Sequence, residues 1–324
     1  MGVTQTKNEI DQAIACPLCG GTEHVPVESF GRFAVVRCAL CTLEFSDPLE
    51  YNREDYDLAY QMAASSEFMV PALKWLAEAS ADLHEARWML FSAQLEVLEW
   101  LKKNMPKASI LDVGCGPGWF LARARQLGFQ AAGVEVGSAP VKLLQQKGFR
   151  VACGSLDSVP ADWQPDVVTL FEVLEHLPDP ANFIDQIREQ FPQSTFLLSV
   201  PSPKRWTKAG RHRDLADYPP NHLTRWNPES LSRALKNAGY RHVQVNYSRP
   251  IALETASVSI KTTLQAWRNR MPETLPEAMA GTQLRPLKNE ILVRKLKCIP
   301  GIMVAGVFRA LGWSGISIWG VARP

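Results

Sequence analysis

Strands and helices alternate through the middle of this 324-residue chain, and this alternation limits the fold more than any other feature. The predicted elements are, in order, strand 109–113, helix 119–127, strand 130–136, helix 140–146, strand 150–153, strand 166–171, helix 180–190, strand 195–200, helix 228–238 and strand 242–247. Such a rhythm is typical of a parallel sheet with helices on both faces. The sequence therefore predicts a doubly wound, Rossmann-like α/β sheet.

The first strand of this series ends in a glycine-rich turn, where residues 111–118 read Leu-Asp-Val-Gly-Cys-Gly-Pro-Gly. Ligands of a doubly wound sheet bind at this end of a strand, and glycines let the backbone approach them closely. Glu135 ends the second strand, where a carboxylate accepts hydrogen bonds from both hydroxyl groups of a ribose. Trp119 departs from the dinucleotide signature G-x-G-x-x-G, so the pattern favours a different nucleoside cofactor.

Two Cys-x-x-Cys pairs precede the sheet, and 18 residues separate them. Each pair lets two thiolates converge on one ion, so the two pairs complete a tetrahedral all-thiolate site. A structural zinc ribbon is the favoured interpretation, with a rubredoxin-like iron centre or a disulfide pair as alternatives. The predicted ligands are Cys16, Cys19, Cys38 and Cys41. Because all four positions are filled by protein, the site has no open catalytic position.

The composition fits a folded enzyme of a reducing compartment. Hydrophobic residues make up 46% of the chain, which is ample for a core. Residues 1–12 are polar and lack the apolar stretch of a secretory signal. The other cysteines, Cys115, Cys153 and Cys298, are scattered and show no pairing pattern. We therefore expect a cytoplasmic protein.

Charge is unevenly distributed, although the formal net charge is only +2: residues 1–200 hold 15 Lys/Arg against 26 Asp/Glu, and residues 201–324 hold 20 against 7. A basic C-terminal third favours an anionic substrate, nucleic acid or an anionic membrane surface, although solvated helix faces produce the same asymmetry. The apolar segment 299–308 is too short to cross a bilayer. Peripheral contact with the inner face of the membrane and packing against the domain are both compatible with it.

After the fourth strand, residues 173–177 read Val-Leu-Glu-His-Leu. With the glycine run and Glu135, this segment resembles the class I S-adenosylmethionine-dependent methyltransferases, particularly bacterial members with an N-terminal zinc ribbon. The resemblance covers most of the chain. It implies a zinc ribbon over residues 1–50, a helical linker or cofactor lid over 51–106, and the methyltransferase domain over 107–324. Apolar residues at near-helical intervals predict a long helix at about 70–103. A helical insertion at about 255–311 would precede a last, antiparallel strand at 316–322.

The same resemblance implies that S-adenosylmethionine is the cofactor. The glycine loop would hold its methionine end through Asp112, Gly114, Gly116 and Gly118, and Glu135 would hold its ribose. Residues 154–157 resemble the family motif that lies against the adenine, although Ser155 stands where an acidic residue is often found. Further cofactor contacts are predicted for Leu156, Asp157 and Phe171.

Catalysis requires a nucleophile aligned with the methyl group at about 3–3.5 Å and a group that removes its proton. His176 is one candidate base, oriented by Glu175, and His222 is the other. A structural role in the loops is the alternative for all three residues. Resemblance to the carbon-methylating sugar methyltransferases adds Tyr60, or Tyr56, as a proton-transfer residue.

The residues around the ribbon resemble the opening of zinc-ribbon sugar methyltransferases, whose substrates include nucleotide-linked deoxysugars. Arginines of the long loop 201–220, including Arg205, would form a lid that grips a phosphate of a nucleotide-linked or lipid-linked sugar, with a solvated loop as the alternative. We therefore predict a methyltransferase for a small or carrier-linked polar metabolite, with a sugar favoured. Oxygen methylation is slightly favoured over carbon methylation, because carbon methylation requires a stabilised carbanion and only the Tyr/Glu/His set offers groups for that.

Two other functions fit the same motifs. An RNA methyltransferase would use the zinc ribbon to bind its substrate, but residues 16–50 contain only Arg32 and Arg37 as cations, so nucleic acid is not the expected partner. A non-catalytic protein that binds zinc and cofactor is the third hypothesis, since the fold alone does not fix function. The sequence does not predict the oligomeric state.

Overall fold

The computed structural model of the protein describes residues 14–49, 86, 89–205, 217–250 and 314–324. Its N-terminal part is an antiparallel sheet of β1 (His24–Phe30), β2 (Phe33–Cys38) and β3 (Glu44–Asp47). The helices that follow are α1 (Ser92–Asn104), α2 (Trp119–Gln126), α3 (Ser138–Gln146), α4 (Pro180–Gln190) and α5 (Pro228–Asn237). The other strands are β4 (Ser109–Val113), β5 (Gln130–Glu135), β6 (Arg150–Cys153), β7 (Val167–Phe171), β8 (Thr195–Pro201), β9 (Thr224–Arg225), β10 (His242–Tyr247) and β11 (Ser317–Arg323).

The central sheet has the strand order β10-β11-β8-β7-β4-β5-β6 in the described residues. Strand β11 runs antiparallel to both neighbours, while β4 to β8 pair in parallel. This mixed seven-stranded sheet confirms the predicted Rossmann-like α/β fold. The strands and helices expected between residues 109 and 247 agree with the structure to within two residues at each end. The expected antiparallel last strand is also confirmed.

The long helix expected at 70–103 is not continuous. Met89 to Phe91 form a turn and an extended stretch before α1 begins. The backbone of Phe91 is extended, with ψ at 161°, and its N–H donates to Oε1 of Gln94 over 3.1 Å, which caps the new helix. The earlier part of the predicted helix lies outside the described residues.

The N-terminal sheet takes its fourth strand from a distant part of the chain, in the order β1-β2-β3-β9. Glu44 pairs with Arg225 and Phe45 with Thr224, and the N–H of Ser46 donates to the carbonyl of Leu223 over 2.9 Å. The sequence did not predict this connection. It fixes the loop before β9, which contains His222, against the cysteine-bearing sheet.

A shared hydrophobic cluster strengthens this contact. It includes Cys38 and Phe45 of the N-terminal sheet together with Trp226 and residues of the central strands. Trp226 is 2% exposed, and its Nε1 donates to Oγ1 of Thr224 over 2.9 Å. The N-terminal sheet and the central sheet therefore contribute to one hydrophobic cluster.

Several predicted features lie outside the described residues. They are Tyr56 and Tyr60, most of the lid loop at 206–216, and the whole insertion at 255–311 with its apolar segment. No helix in the described parts of the chain combines the length and the apolar character that a bilayer crossing requires.

Candidate active site

The carboxyl ends of β4, β5 and β7 form one edge of the central sheet, because these strands are parallel. The glycine loop follows β4, Glu135 ends β5, and Glu172 to His176 follow β7. Open α/β sheets bind their ligands at this edge, beside the point where the strand order reverses. The predicted cofactor and catalytic segments are therefore brought together.

The glycine loop has a backbone that only glycine adopts without strain. Gly114 has φ at +72°, and a Cβ there would come within 2.7 Å of Cγ2 of Val173. The loop thus lies directly against the segment that follows β7. Gly116 has φ at +50°, but a Cβ there would meet no atom within 4 Å. A side chain at Gly116 would therefore extend into open space.

Glu135 is held in place by the backbone of this edge. Its Oε2 accepts a hydrogen bond from the N–H of Gly116, and its Oε1 accepts one from the N–H of Gly137, both over 2.8 Å. Two further acceptor positions remain on the carboxylate for ligand hydroxyl groups. The side chain is therefore oriented before any ligand binds.

Asp112 lies beneath the loop and is only 2% exposed. Its Oδ1 accepts a hydrogen bond from Oγ1 of Thr169 over 2.6 Å. Burial raises the pKa of Asp112 to about 7, while the bond from Thr169 opposes that rise and the nearby charge of Glu135 adds to it. At neutral pH this position therefore costs stability whenever Asp112 is ionised.

We expect Asp112→Asn to change how stability depends on pH. Because the pKa of Asp112 is near 7 in the folded protein and near 4 when unfolded, the folded state binds more protons between these values. The contribution of Asp112 to the free energy of unfolding therefore falls as pH rises, by up to about 1.4 kcal/mol per pH unit. Urea unfolding from pH 4.5 to 7.5 should show a shallower fall in the variant. Thr169→Val should extend the fall to higher pH, and a wild-type slope in Asp112→Asn would contradict the assignment.

The residues predicted to contact the adenine lie next to Glu135. The N–H of Gly154 donates to the carbonyl of Glu135 over 2.9 Å, and Leu156 and Asp157 follow in a short 3₁₀ turn. Asp157 is exposed, whereas Leu156 is 3% exposed and packs in the core. Phe171 is buried, with its ring centroid 4.6 Å from that of Phe120. Asp157 is thus the one of these three side chains that is open to a ligand.

Glu172 is the first residue after β7, and the sequence did not predict it as a site residue. Its φ is +53°, a left-handed conformation that is uncommon for a non-glycine residue. Oε1 of Glu172 accepts hydrogen bonds from Oγ of Ser199 over 2.7 Å and from Oγ of Ser317 over 2.8 Å. These bonds fix the turn that leads into Glu175 and His176.

Glu175, His176 and His222, which we call the Glu/His cluster, converge from two segments. Glu175 is 1% exposed, and its Oε1 lies 4.0 Å from Nε2 of His176 and 3.9 Å from Nε2 of His222. The two imidazole rings meet edge to face with centroids 4.8 Å apart. Burial raises the pKa of Glu175 well above its ordinary value and lowers the pKa of His176. These atoms also lie close enough together to hold a metal ion.

Hydrogen bonds and ion pairs from residues outside the cluster orient its two imidazole rings. Nδ1 of His176 lies 2.6 Å from the carbonyl oxygen of Asn221, which only accepts, so this nitrogen carries the proton. Nδ1 of His222 lies 3.6 Å from Oδ1 of Asp217. Asp217 in turn forms a buried ion pair with Arg205, so the guanidinium expected to grip a phosphate is engaged inside the protein. Asp217 was missed by sequence reasoning, because one acid in a polar loop gives no local signal.

The four predicted metal ligands of the N-terminal sheet also converge. Their Sγ atoms lie within 4.8 Å of one another, and the Cys16–Cys41 and Cys19–Cys38 separations are 3.4 and 3.6 Å. All four are free thiols, so the disulfide alternative is not what the structure contains. Four thiolates around one tetrahedral ion, each about 2.3 Å from it, are about 3.8 Å apart. The donor set and its spacing therefore fit a structural zinc ion.

This fold, with a glycine loop and an acidic residue at the ends of the first two strands of its parallel core, is the fold of the Rossmann-like methyltransferases. Residues 83–245 match the family described as a methyltransferase domain, which is half of the chain. The chain therefore belongs to this methyltransferase family.

Relatives with curated names match a shorter part of the chain. The ubiquinone biosynthesis O-methyltransferase of Stutzerimonas stutzeri is 33% identical over 97 residues, which cover 27% of this chain and 42% of the relative. The enzyme of the same name from Albidiferax ferrireducens is 35% identical over 98 residues, covering 27% and 39%. The chain thus spans about two fifths of the length of the curated relatives it matches.

Solved structures with a related fold include a SAM dependent methyltransferase from Archaeoglobus fulgidus. It is 19% identical with a TM-score of 0.43, over 71% of this chain and 94% of that one. Another is the 1,6-didemethyltoxoflavin-N1-methyltransferase of Burkholderia thailandensis, which is 16% identical with a TM-score of 0.43 over 69% and 91% of the two chains.

Proposed function

We propose that this protein transfers the methyl group of S-adenosylmethionine to an oxygen atom of a small, polar acceptor molecule. The observation that carries this proposal is the direct contact between the glycine loop and the segment of the Glu/His cluster, through Gly114 and Val173. A cofactor on the loop and an acceptor at the cluster would then be neighbours. The O-methyltransferase names of the curated relatives support oxygen as the methylated atom.

The cofactor would lie across the ends of β4 and β5. The open side of Gly116 suits its methionine part, and the carboxylate of Glu135 suits the two ribose hydroxyl groups. Asp157 is exposed beside this position and is the proposed adenine-side contact. The sulfonium group makes the methyl carbon electrophilic without help from the protein. The chain therefore has to orient the acceptor and remove its proton.

The Glu/His cluster would activate the acceptor hydroxyl. As the acceptor oxygen bonds to the methyl carbon, the carbon–sulfur bond breaks, and its electron pair stays on sulfur. The hydroxyl proton has to leave in the same process. The cluster supplies a buried carboxylate and two imidazole Nε2 atoms that face it. Tyr60 remains a predicted participant, and it lies outside the described residues.

The acceptor class is inferred from two sources. The curated relatives are named for O-methylation in ubiquinone biosynthesis, and their names do not indicate a sugar. A sugar, free or linked to a nucleotide or lipid, is suggested by the resemblance of the ribbon region to sugar methyltransferases. We propose that the acceptor is a small hydroxylated metabolite, which agrees with both sources. A sugar acceptor is the narrower hypothesis.

Cofactor binding tests the proposal first. We expect calorimetric titration with S-adenosylmethionine to give micromolar affinity, and Glu135→Ala to weaken it by about 1.5–3 kcal/mol, because charged hydrogen bonds contribute on this scale. The control is Asp162→Ala, which removes an exposed carboxylate near Arg150 and the amino-terminal edge of the sheet. Equal loss in both variants would point to a general charge effect and contradict the ribose assignment.

Turnover is the second stage of that test. Transfer of a labelled methyl group should depend on one acceptor from a panel of sugars, nucleotide-linked sugars and phenols, and the product should carry an O-methyl group. Cofactor binding without transfer to any of them would support a binding protein instead. Salt-sensitive methylation of RNA would support the RNA hypothesis.

We further propose that Cys16, Cys19, Cys38 and Cys41 hold a structural zinc ion. The converging sulfur atoms and the soft donor set support this assignment. When bound, the ion would stabilise the sheet β1-β2-β3, which in turn pairs with β9 beside the Glu/His cluster. The ion would therefore act on the site through structure rather than chemistry.

A further inference from the structure

The Glu/His cluster has the dimensions of a metal site. Its potential ligand atoms all lie within 4.8 Å of one another, and they come from the segment after β7 and the loop before β9. Ligands at about 2.0–2.2 Å from one ion are about 3.0–3.5 Å apart. The separations from Oε1 of Glu175 are 3.9 and 4.0 Å, so contraction by about 0.4–1 Å would bring the atoms to the spacing of ligands around one ion.

Glu175 supplies an independent indication of a missing partner. Its side chain is 1% exposed, and neither carboxylate oxygen has a hydrogen-bond partner in the described residues. A buried carboxylate without such partners is strongly disfavoured unless a cation compensates for the lost water. Arg205, a nearby buried cation, forms its ion pair with Asp217. The carboxylate therefore faces the two imidazoles at 3.9 and 4.0 Å without a hydrogen bond from the described residues.

The groups behind the histidines are those expected for metal ligands. Nδ1 of His176 donates to the carbonyl of Asn221, and its Nε2 lies 4.0 Å from Oε1 of Glu175. Nδ1 of His222 faces the carboxylate of Asp217, itself fixed by Arg205. A metal-bound histidine commonly donates its second ring nitrogen to a carbonyl or a carboxylate, which fixes the tautomer and the ring. In both histidines Nε2 is therefore the ring nitrogen on the side of Glu175.

We propose that Glu175, His176 and His222 bind a divalent transition-metal ion to which the acceptor hydroxyl coordinates. Two imidazoles and one carboxylate suit Zn²⁺, Fe²⁺, Co²⁺ or Mn²⁺, and three protein ligands leave positions open for the acceptor. This inference rests on the proposed function, because the acceptor has to reach the cluster from the cofactor side.

The ion would change how the hydroxyl loses its proton. Coordination lowers the pKa of the hydroxyl, so its proton passes to solvent water near neutral pH. The oxygen then bonds to the methyl carbon, the carbon–sulfur bond breaks, and sulfur keeps the electron pair. The two histidines act as ligands in this scheme rather than as bases.

Cobalt titration of the full-length protein with zinc in the ribbon tests this inference. We expect one further equivalent of Co²⁺ to bind, with visible absorption that lacks the thiolate-to-cobalt charge-transfer band. His176→Gln and His222→Gln should each weaken Co²⁺ binding by more than about 10-fold, and Asp217→Asn, which acts behind His222, by about 10–100-fold. His242→Gln, a matched change at an exposed site in β10, should leave the affinity unchanged.

Glu175→Gln keeps the shape of the side chain and serves where a histidine variant fails to fold. Failure of the folded wild-type protein to bind Co²⁺ beyond the ribbon at millimolar concentration would overturn the inference. Equal affinity in the wild type and His222→Gln would overturn it too. Calorimetry with S-adenosylmethionine separates the two proposals: normal cofactor affinity without cobalt binding rejects the metal site alone, whereas absent cofactor binding rejects the proposed function.

Discussion

Replacement of Cys38 by serine is expected to release the ion of the ribbon and to unfold β1, β2 and β3. Structural zinc in small modules contributes an apparent binding free energy of about 10–16 kcal/mol, which a short sheet cannot replace by apolar burial. Elemental analysis should show one zinc fewer per chain than in the wild type, and thermal unfolding should begin at lower temperature. Cys153→Ser, at an exposed cysteine outside the cluster, is the control. A full complement of zinc in Cys38→Ser would contradict the ligand assignment.

The same variant tests the connection between the ribbon and the site. Strand β3 pairs with β9, and the loop just before β9 contains His222 and Leu223. The N–H of Leu223 donates to the backbone carbonyl of Glu175 over 2.8 Å, so its hydrogen exchange reports on the loop. We expect faster exchange of Leu223 and reduced methyl transfer in Cys38→Ser. Affinity for S-adenosylmethionine should be nearly preserved, because the glycine loop follows a different strand.

Glu175→Gln is expected to lower kcat by about 10²–10⁴-fold, the usual range for loss of a group that assists proton removal. The substitution keeps the shape of the side chain but removes its charge. The loss is therefore expected both where the carboxylate orients the histidines directly and where it acts through an ion. Single-turnover transfer of a labelled methyl group to the acceptor identified by the screen measures the effect. Affinity for S-adenosylmethionine should change by less than about 3-fold, since the methionine end contacts the glycine loop.

A matched substitution on an exposed surface controls for this variant. Glu189 lies on the outer face of α4, so Glu189→Gln should retain wild-type kcat. Near-normal turnover in Glu175→Gln would contradict the assignment of the Glu/His cluster to the acceptor side. The free energy of unfolding should not fall, because the amide is less costly to bury than an uncompensated carboxylate.

The elements of the central sheet could be predicted because their signals are local. Strands such as 109–113 and 195–201 are short apolar runs bounded by turn residues. Helix α5 starts at Pro228, directly after the capping residue Asn227. Parallel strands then place their carboxyl ends on one edge, so the order along the chain implies where Gly116, Glu135 and Glu175 meet. The long helix at 70–103 was wrong as one element because periodicity does not detect the extended backbone at Phe91.

The remaining features depend on contacts between residues distant in the chain. The pairing of β3 with β9 joins positions about 180 residues apart, and no property of Thr224 or Arg225 by itself indicates it. Asp217 and Arg205 likewise read as solvated loop residues, yet they form a buried pair behind His222. Such contacts arise only when packed layers exclude water and make each buried charge find a partner.

The sequence by itself determined the alternating α/β order, the glycine loop with Glu135, and the four cysteines as one set. Hydrophobic periodicity, backbone freedom at glycine and ligand spacing act within a few residues, so they can be read along the chain. Only the tertiary structure decided that Glu175, His176 and His222 form one cluster, and that the ribbon sheet extends to the loop carrying His222. The physical reason is that burial and charge compensation are properties of a folded interior, where segments far apart in sequence replace water for one another.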